Sequence, residues 1–162
     1  MENHQSHSLA PPLDTTIWFN TPEPLTLEEL RGKVVVIHAF QMLCPGCVFH
    51  GLPQAKVIDR LYPRQEVQVI GLHTVFEHHD VMTSDALTAF IHEYRIPFPI
   101  AIDRPSDKKP IPHTMASYQM QGTPTLIVID KNGRIRLNHF GRISDIEVGS
   151  IIGGLLEEKI TQ

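Results

Sequence analysis

The chain is 162 residues long, 41% hydrophobic and 20% charged, which is enough for one globular domain and too apolar for a disordered segment. Fourteen Lys and Arg against 18 Asp and Glu leave a net charge of −4, which argues against a nucleic-acid binder and against docking on an anionic membrane. Two cysteines exclude a disulfide-dense secreted scaffold.

Residues 1–13 (MENHQSHSLAPPL) are polar, proline-containing and non-periodic, so they are expected as a mobile tail before a single domain over 14–162. They lack the basic start and apolar core of a secretory leader, and no apolar run approaches the roughly 20 residues that span a bilayer. A cytoplasmic setting follows as the expectation. His4 and His7 in this segment lack the rigid frame that metal ligation needs.

The elements then follow in order. Residues 15–20 (TTIWFN) form a short strand ended by turn residues. Residues 26–30 (TLEEL) make one helical turn capped by Thr26 and stopped by Gly32. Residues 33–40 (KVVVIHAF) are nearly continuously apolar and rich in β-branched residues, the pattern of a central strand covered on both faces. A helix follows over 44–61, with Pro53 bending it from inside. Residues 66–73 (EVQVIGLH) give a second buried strand. A helix over 84–94 is expected to be capped by Ser84, with Leu87, Phe90, Ile91 and Tyr94 on one face.

Residues 98–102 are a short extended piece, 105–112 (PSDKKPIP) a proline-rich loop, and 115–120 a short helix. Residues 125–130 (TLIVID) form a strand, which the Asn132-Gly133 turn folds back as a hairpin into 134–140. A last helix spans 144–158, with Ile146, Ile151, Ile152, Leu155 and Leu156 apolar. The strand, helix, strand passage over 33–73 implies a parallel pair, and the closing hairpin adds antiparallel strands. The fold class is therefore α/β, a sandwich with a mixed central sheet.

Cys44-Pro45-Gly46-Cys47 lies where a buried strand hands over to a helix. Zinc usually needs two further Cys or His ligands at matched spacing, and no second CxxC exists. Beside a βαβ unit the pair reads as redox-active. At a helix start the unpaired N–H groups and the macrodipole favour a Cys44 thiolate, the nucleophilic form. Cys47, one turn further in, is shielded. Pro45 suits the first turn because it has no N–H to leave unpaired.

CPGC after an apolar strand, GTPT before another and the DKNGRI hairpin together resemble the thioredoxin superfamily. More narrowly they resemble TlpA/ResA-like thiol–disulfide oxidoreductases and their AhpC/TSA-type relatives, over about residues 18–158. The resemblance implies a thioredoxin-like three-layer sandwich and reduction of protein or small-molecule disulfides, with an external thiol reductant and no metal or organic cofactor. It makes Cys44 the attacking cysteine, Cys47 the resolving one and Pro124 a cis-proline. Thr123 then offers backbone groups to an extended substrate segment. The family's central insertion corresponds to residues 73–113.

The departures are specific. His38 stands where relatives carry a buried Asp or Asn. Its imidazole is either a carrier for the Cys47 proton or a core histidine bonded to backbone. His50 stands where many relatives have Glu, and Leu43 where an aromatic is common. The remaining histidines, His78-His79 included, lack metal-ligand spacing. Two other readings use the same fold. A peroxiredoxin-like thiol peroxidase would have a Pro-x-x-x-Thr-x-x-Cys site, but Ile37 and Gln41 occupy the Pro and Thr positions. A Sco-like copper module would have wider cysteine spacing.

Overall fold

The computed structural model describes residues 7–161; residues 1–6, with His4 among them, lie outside that range. Six strands form one sheet in the order β1-β4-β3-β2-β5-β6. They are β1 (Thr15–Phe19), β2 (Val34–Phe40), β3 (Val67–His73), β4 (Ile100–Asp103), β5 (Thr125–Ile129) and β6 (Ile135–Phe140). Four helices flank them, α1 (Leu52–Leu61), α2 (Ser84–Glu93), α3 (His113–Ser117) and α4 (Asp145–Glu157), with a π turn over Cys47–Gly51 leading into α1.

The β-branched runs take the centre, as their composition requires. All seven residues of β2 and all seven of β3 are buried. They pair in parallel, Val34 opposite Val67 through Phe40 opposite His73. On the other side β2 pairs antiparallel with β5, and β5 with β6. Gly133 takes a left-handed φ of 77° in the hairpin turn, a conformation that suits glycine. The sheet is therefore mixed, and a core lies on each face. Val34, Val36 and Phe40 of β2 pack under α1, α2 and α4 through Leu52, Ile58, Leu87, Ile91, Ile152 and Leu155. Val35, Ile37 and Ala39 face the opposite way, toward Leu30, Met115 and Tyr118. Helices on both faces of one sheet give three layers.

Four local readings of the sequence change in three dimensions. First, Pro53 does not interrupt a uniform α-helix; the chain widens into a π turn before it, and Leu52 N–H bonds the Cys47 carbonyl. Proline has no N–H for the carbonyl one turn back, so the register opens there. Second, the cap of α2 is Thr83, whose hydroxyl accepts from Ala86 N–H at 3.2 Å, and Ser84 is the first helical residue. Third, Ile146 is 85% exposed in the first turn of α4, while Val148, Ile152 and Leu155 carry its buried face. Fourth, residues 8–13 lie against the domain. Leu9 bridges Arg134, Ala10 N–H bonds the Gly133 carbonyl at 2.8 Å, and Tyr118 donates its hydroxyl to the Pro11 carbonyl at 2.7 Å. Ala10 and Leu13 pack on the second core. Their polar, proline-broken sequence carries no periodicity because they contribute an edge contact rather than an element.

Candidate active site

The site forms where β2 ends. Burial of Val34–Phe40 on both faces places Gln41 to Cys44 at the rim of the sheet, and the helical turn begins at Pro45. Cys44 is half-buried and Cys47 is 1% exposed. The two are joined by a disulfide with Cα atoms 5.2 Å apart. Cys47 N–H points at Cys44 Sγ, 3.2 Å away, and Cys44's carbonyl receives Cys47 and Val48 N–H at 3.1 Å each. An N–H at the head of a helix stabilises negative charge on that sulfur once the bond is reduced. Exposure differs in the useful sense: one sulfur can be reached by a partner, and the other is held behind it.

Across from the cysteines lies the turn before β5. The Thr123–Pro124 peptide is cis. Cys44 Sγ sits 3.5 Å from the Thr123 carbonyl oxygen. Gly46 faces Pro124 closely enough that a Cβ there would lie 3.4 Å from the ring. The turn is braced from behind by Thr125, which donates to the Gly122 carbonyl at 2.7 Å, and by Gly141 N–H on the Pro124 carbonyl at 2.8 Å. Cys44, Pro45, Gly46, Cys47, Thr123 and Pro124, far apart in the chain, thus share one rim of the sheet.

His38 lies under this rim rather than on it. It is 1% exposed, stacks on Phe40 with centroids 5.4 Å apart, and its Nε2 has no hydrogen-bond partner. Gly51 presses on its ring so closely that any Cβ at 51 would overlap Cε1. Burial, and next the neighbouring His50, depress its pKa to about 4, so the imidazole is neutral at physiological pH. His50 bonds the Ile143 carbonyl at 3.1 Å, a carbonyl that Gln54 also reaches at 3.0 Å. Two features carry no sequence signal. One is the second buried imidazole, His73, whose Nε2 is also unpartnered and whose pKa burial lowers to about 4. The other is Gln41, treated in the sequence only as a missing peroxidase threonine, which lies buried beside Thr123. Among the described residues, no three His, Cys, Asp or Glu side chains converge as metal ligands.

Comparison with known proteins agrees with this geometry. A redoxin family profile matches residues 6–149. Thiol-disulfide oxidoreductase ResA of Halalkalibacterium halodurans is 26% identical over 125 residues, covering 76% of this chain and 62% of the relative. Protein DipZ of Mycobacterium bovis is 29% identical over 128 residues, covering 78% of this chain and 17% of the relative. The chain spans 62% or less of the length of these relatives. Among solved structures, a thioredoxin-like superfamily protein superimposes with a TM-score of 0.92 at 54% identity, covering 94% of this chain and 99% of the other. A thiol-disulfide isomerase from Corynebacterium glutamicum gives 0.89 at 53% identity, covering 93% and 98%. The domain has the thioredoxin-like fold and a thiol–disulfide oxidoreductase type of site. The chain belongs to the redoxin family.

Proposed function

We propose that the domain reduces disulfides of proteins or small molecules through Cys44 and Cys47. The observation that carries this reading is the half-buried Cys44 backed by a buried Cys47, with the Thr123–Pro124 turn facing it. In the reduced enzyme, Cys44 thiolate attacks one sulfur of the substrate disulfide. A Cys44–substrate bond forms, the substrate S–S bond breaks, and the departing sulfur takes up a proton. Cys47 then loses its proton and attacks Cys44 Sγ, which expels the second substrate thiolate. The substrate gains two electrons and two protons, and the enzyme is left as the Cys44–Cys47 disulfide. An external thiol reductant returns it to the dithiol.

In this reading the backbone of Thr123, beside Pro124, aligns an extended substrate segment, and Pro45 and Gly46 keep the turn tight enough for ring closure. His38 is neutral and packed beneath the π turn, and burial makes it too weak a base to take the Cys47 proton, so that proton passes to the departing substrate thiolate or to water. In a reducing compartment the resting pair would be a dithiol, the form the reductase direction needs. No helix among the described residues is long and apolar enough to cross a membrane.

Cys47→Ser tests the proposal. The variant should accumulate mixed disulfides through Cys44, resolved by mass spectrometry and released by dithiothreitol, and Cys44→Ser should accumulate none. Equal trapping by both variants, or by neither, would reject the assigned order of attack. Acid-quenched alkylation of intact cells reads the resting state, and a standing disulfide there would reverse the direction to substrate oxidation.

A further inference from the structure

We propose that Gln41 is a positioning residue, one that sets the Thr123–Pro124 turn against Cys44 and ties both to the loop after β3. The proposal rests on the exchange reading above. Gln41 is 2% exposed and sits between the last residue of β2 and the cysteine turn. Its main-chain carbonyl receives Cys44 N–H at 3.2 Å. Its side-chain amide donates to Thr123 Oγ1 at 3.4 Å and accepts Phe76 N–H at 3.2 Å. One residue therefore contacts the segment bearing the attacking sulfur, the residue assigned to hold the substrate backbone, and the first loop of the insertion that follows His73.

The physical argument concerns where the other restraints lie. Thr125 and Gly141 brace the Thr123–Pro124 turn from its far side. Gln41 braces it from the cysteine side, through the Thr123 side chain rather than its main chain. The bond to Gln41 sets the position of Thr123 without using its main chain, whose carbonyl oxygen lies 3.5 Å from Cys44 Sγ. A buried amide with both ends occupied is costly to leave half-satisfied, so the three segments are held together rather than loosely apposed. Disulfide exchange needs a near-linear approach of three sulfurs, so alignment contributes to rate separately from thiolate reactivity. The same amide links the Phe76 loop to the reactive centre, so the insertion is in a position to affect which substrates align.

The two contributions separate experimentally. Gln41→Met keeps the shape and removes both the donor to Thr123 and the acceptor for Phe76 N–H. Thr123→Val removes the first of these contacts from the other side. The rate of reduction of a disulfide-bridged peptide should fall about tenfold in each variant, the scale of one lost hydrogen bond. The rate of alkylation of Cys44 by iodoacetamide, which needs no aligned strand, should stay within about twofold. The double variant should lose no more than Gln41→Met alone, because that variant already removes the contact that Thr123→Val removes. A parallel fall in alkylation would overturn the proposal, as would an unchanged peptide rate or additive losses. If Gln41→Met does not fold, Thr123→Val must still show the split between peptide and alkylating agent, and its absence counts against the proposal equally. A wild-type protein that reduces no peptide disulfide would instead reject the function on which this rests.

Discussion

His38 and His73 flank the Phe40 ring, with His73 centred 5.1 Å from it, and each leaves Nε2 unpaired in the core. Burial is the main cause of both depressed pKa values, each about 4. An unfolded histidine titrates near 6.5. Between about pH 6.5 and 4 the unfolded chain therefore binds protons that the folded chain does not. Stability is full above that window and falls as pH drops through it, by up to about 1.4 kcal/mol per pH unit for each imidazole. Asp103 works in the opposite sense at the acid end, because burial raises its pKa and the folded state protonates first. Urea unfolding at about pH 7 and about pH 5 measures the net slope, and a flat profile would show that the imidazoles titrate normally. Gly51 gives a second prediction at this scale. Gly51→Ala drives a Cβ into the His38 ring and should cost about 1–3 kcal/mol, with part of the loss restored by adding His38→Ala. Neither contact was legible in the sequence, since nothing in a lone His38 or a lone Gly51 says that they meet.

Among the elements, the π turn shows how one residue reshapes a site. Pro53 removes a donor, the turn over Cys47–Gly51 widens, and Gly51 comes to rest on His38 while His50 reaches the Ile143 carbonyl. A bend was readable from the proline; the change of register was not, because it depends on what the turn packs against. Helix α2 offers a test of cap assignment. Thr83→Ala should destabilise by about 1 kcal/mol, whereas Ser84→Ala should change stability by less than about 0.5 kcal/mol. Chemical denaturation of the two variants compares them directly, and the reverse ranking would return the cap to Ser84. Helix α4 begins on a complete capping box, in which Ser144 and Glu147 bond each other's main chain. That cap offsets the weak helix propensity of Gly153 and Gly154.

At the scale of the whole molecule, the parallel β2–β3 pair and the antiparallel β5 bring the cysteine turn and the Thr123–Pro124 turn to one rim. Residues 8–13 close the opposite face near Tyr118 and the Gly133 turn. Removing residues 1–13 should lower stability by about 2 kcal/mol or more. It uncovers part of the second core and leaves the buried Tyr118 hydroxyl without its acceptor. Thermal unfolding of the truncated chain is the check, and an unchanged midpoint would show that the segment contributes nothing.

Local chemistry was enough for much of this. Runs rich in apolar and β-branched residues specify β2, β3 and β5, Asn132-Gly133 specifies the hairpin, and CPGC at a strand-to-helix junction marks a candidate redox pair, because each depends on residues close in the chain. What only the tertiary structure decided is the company those residues keep. Gln41 against Thr123 lies across 82 positions, and Tyr118 against Pro11 across 107. Such contacts follow from how the strands are ordered and how side chains fill the space between layers, and no local pattern encodes either.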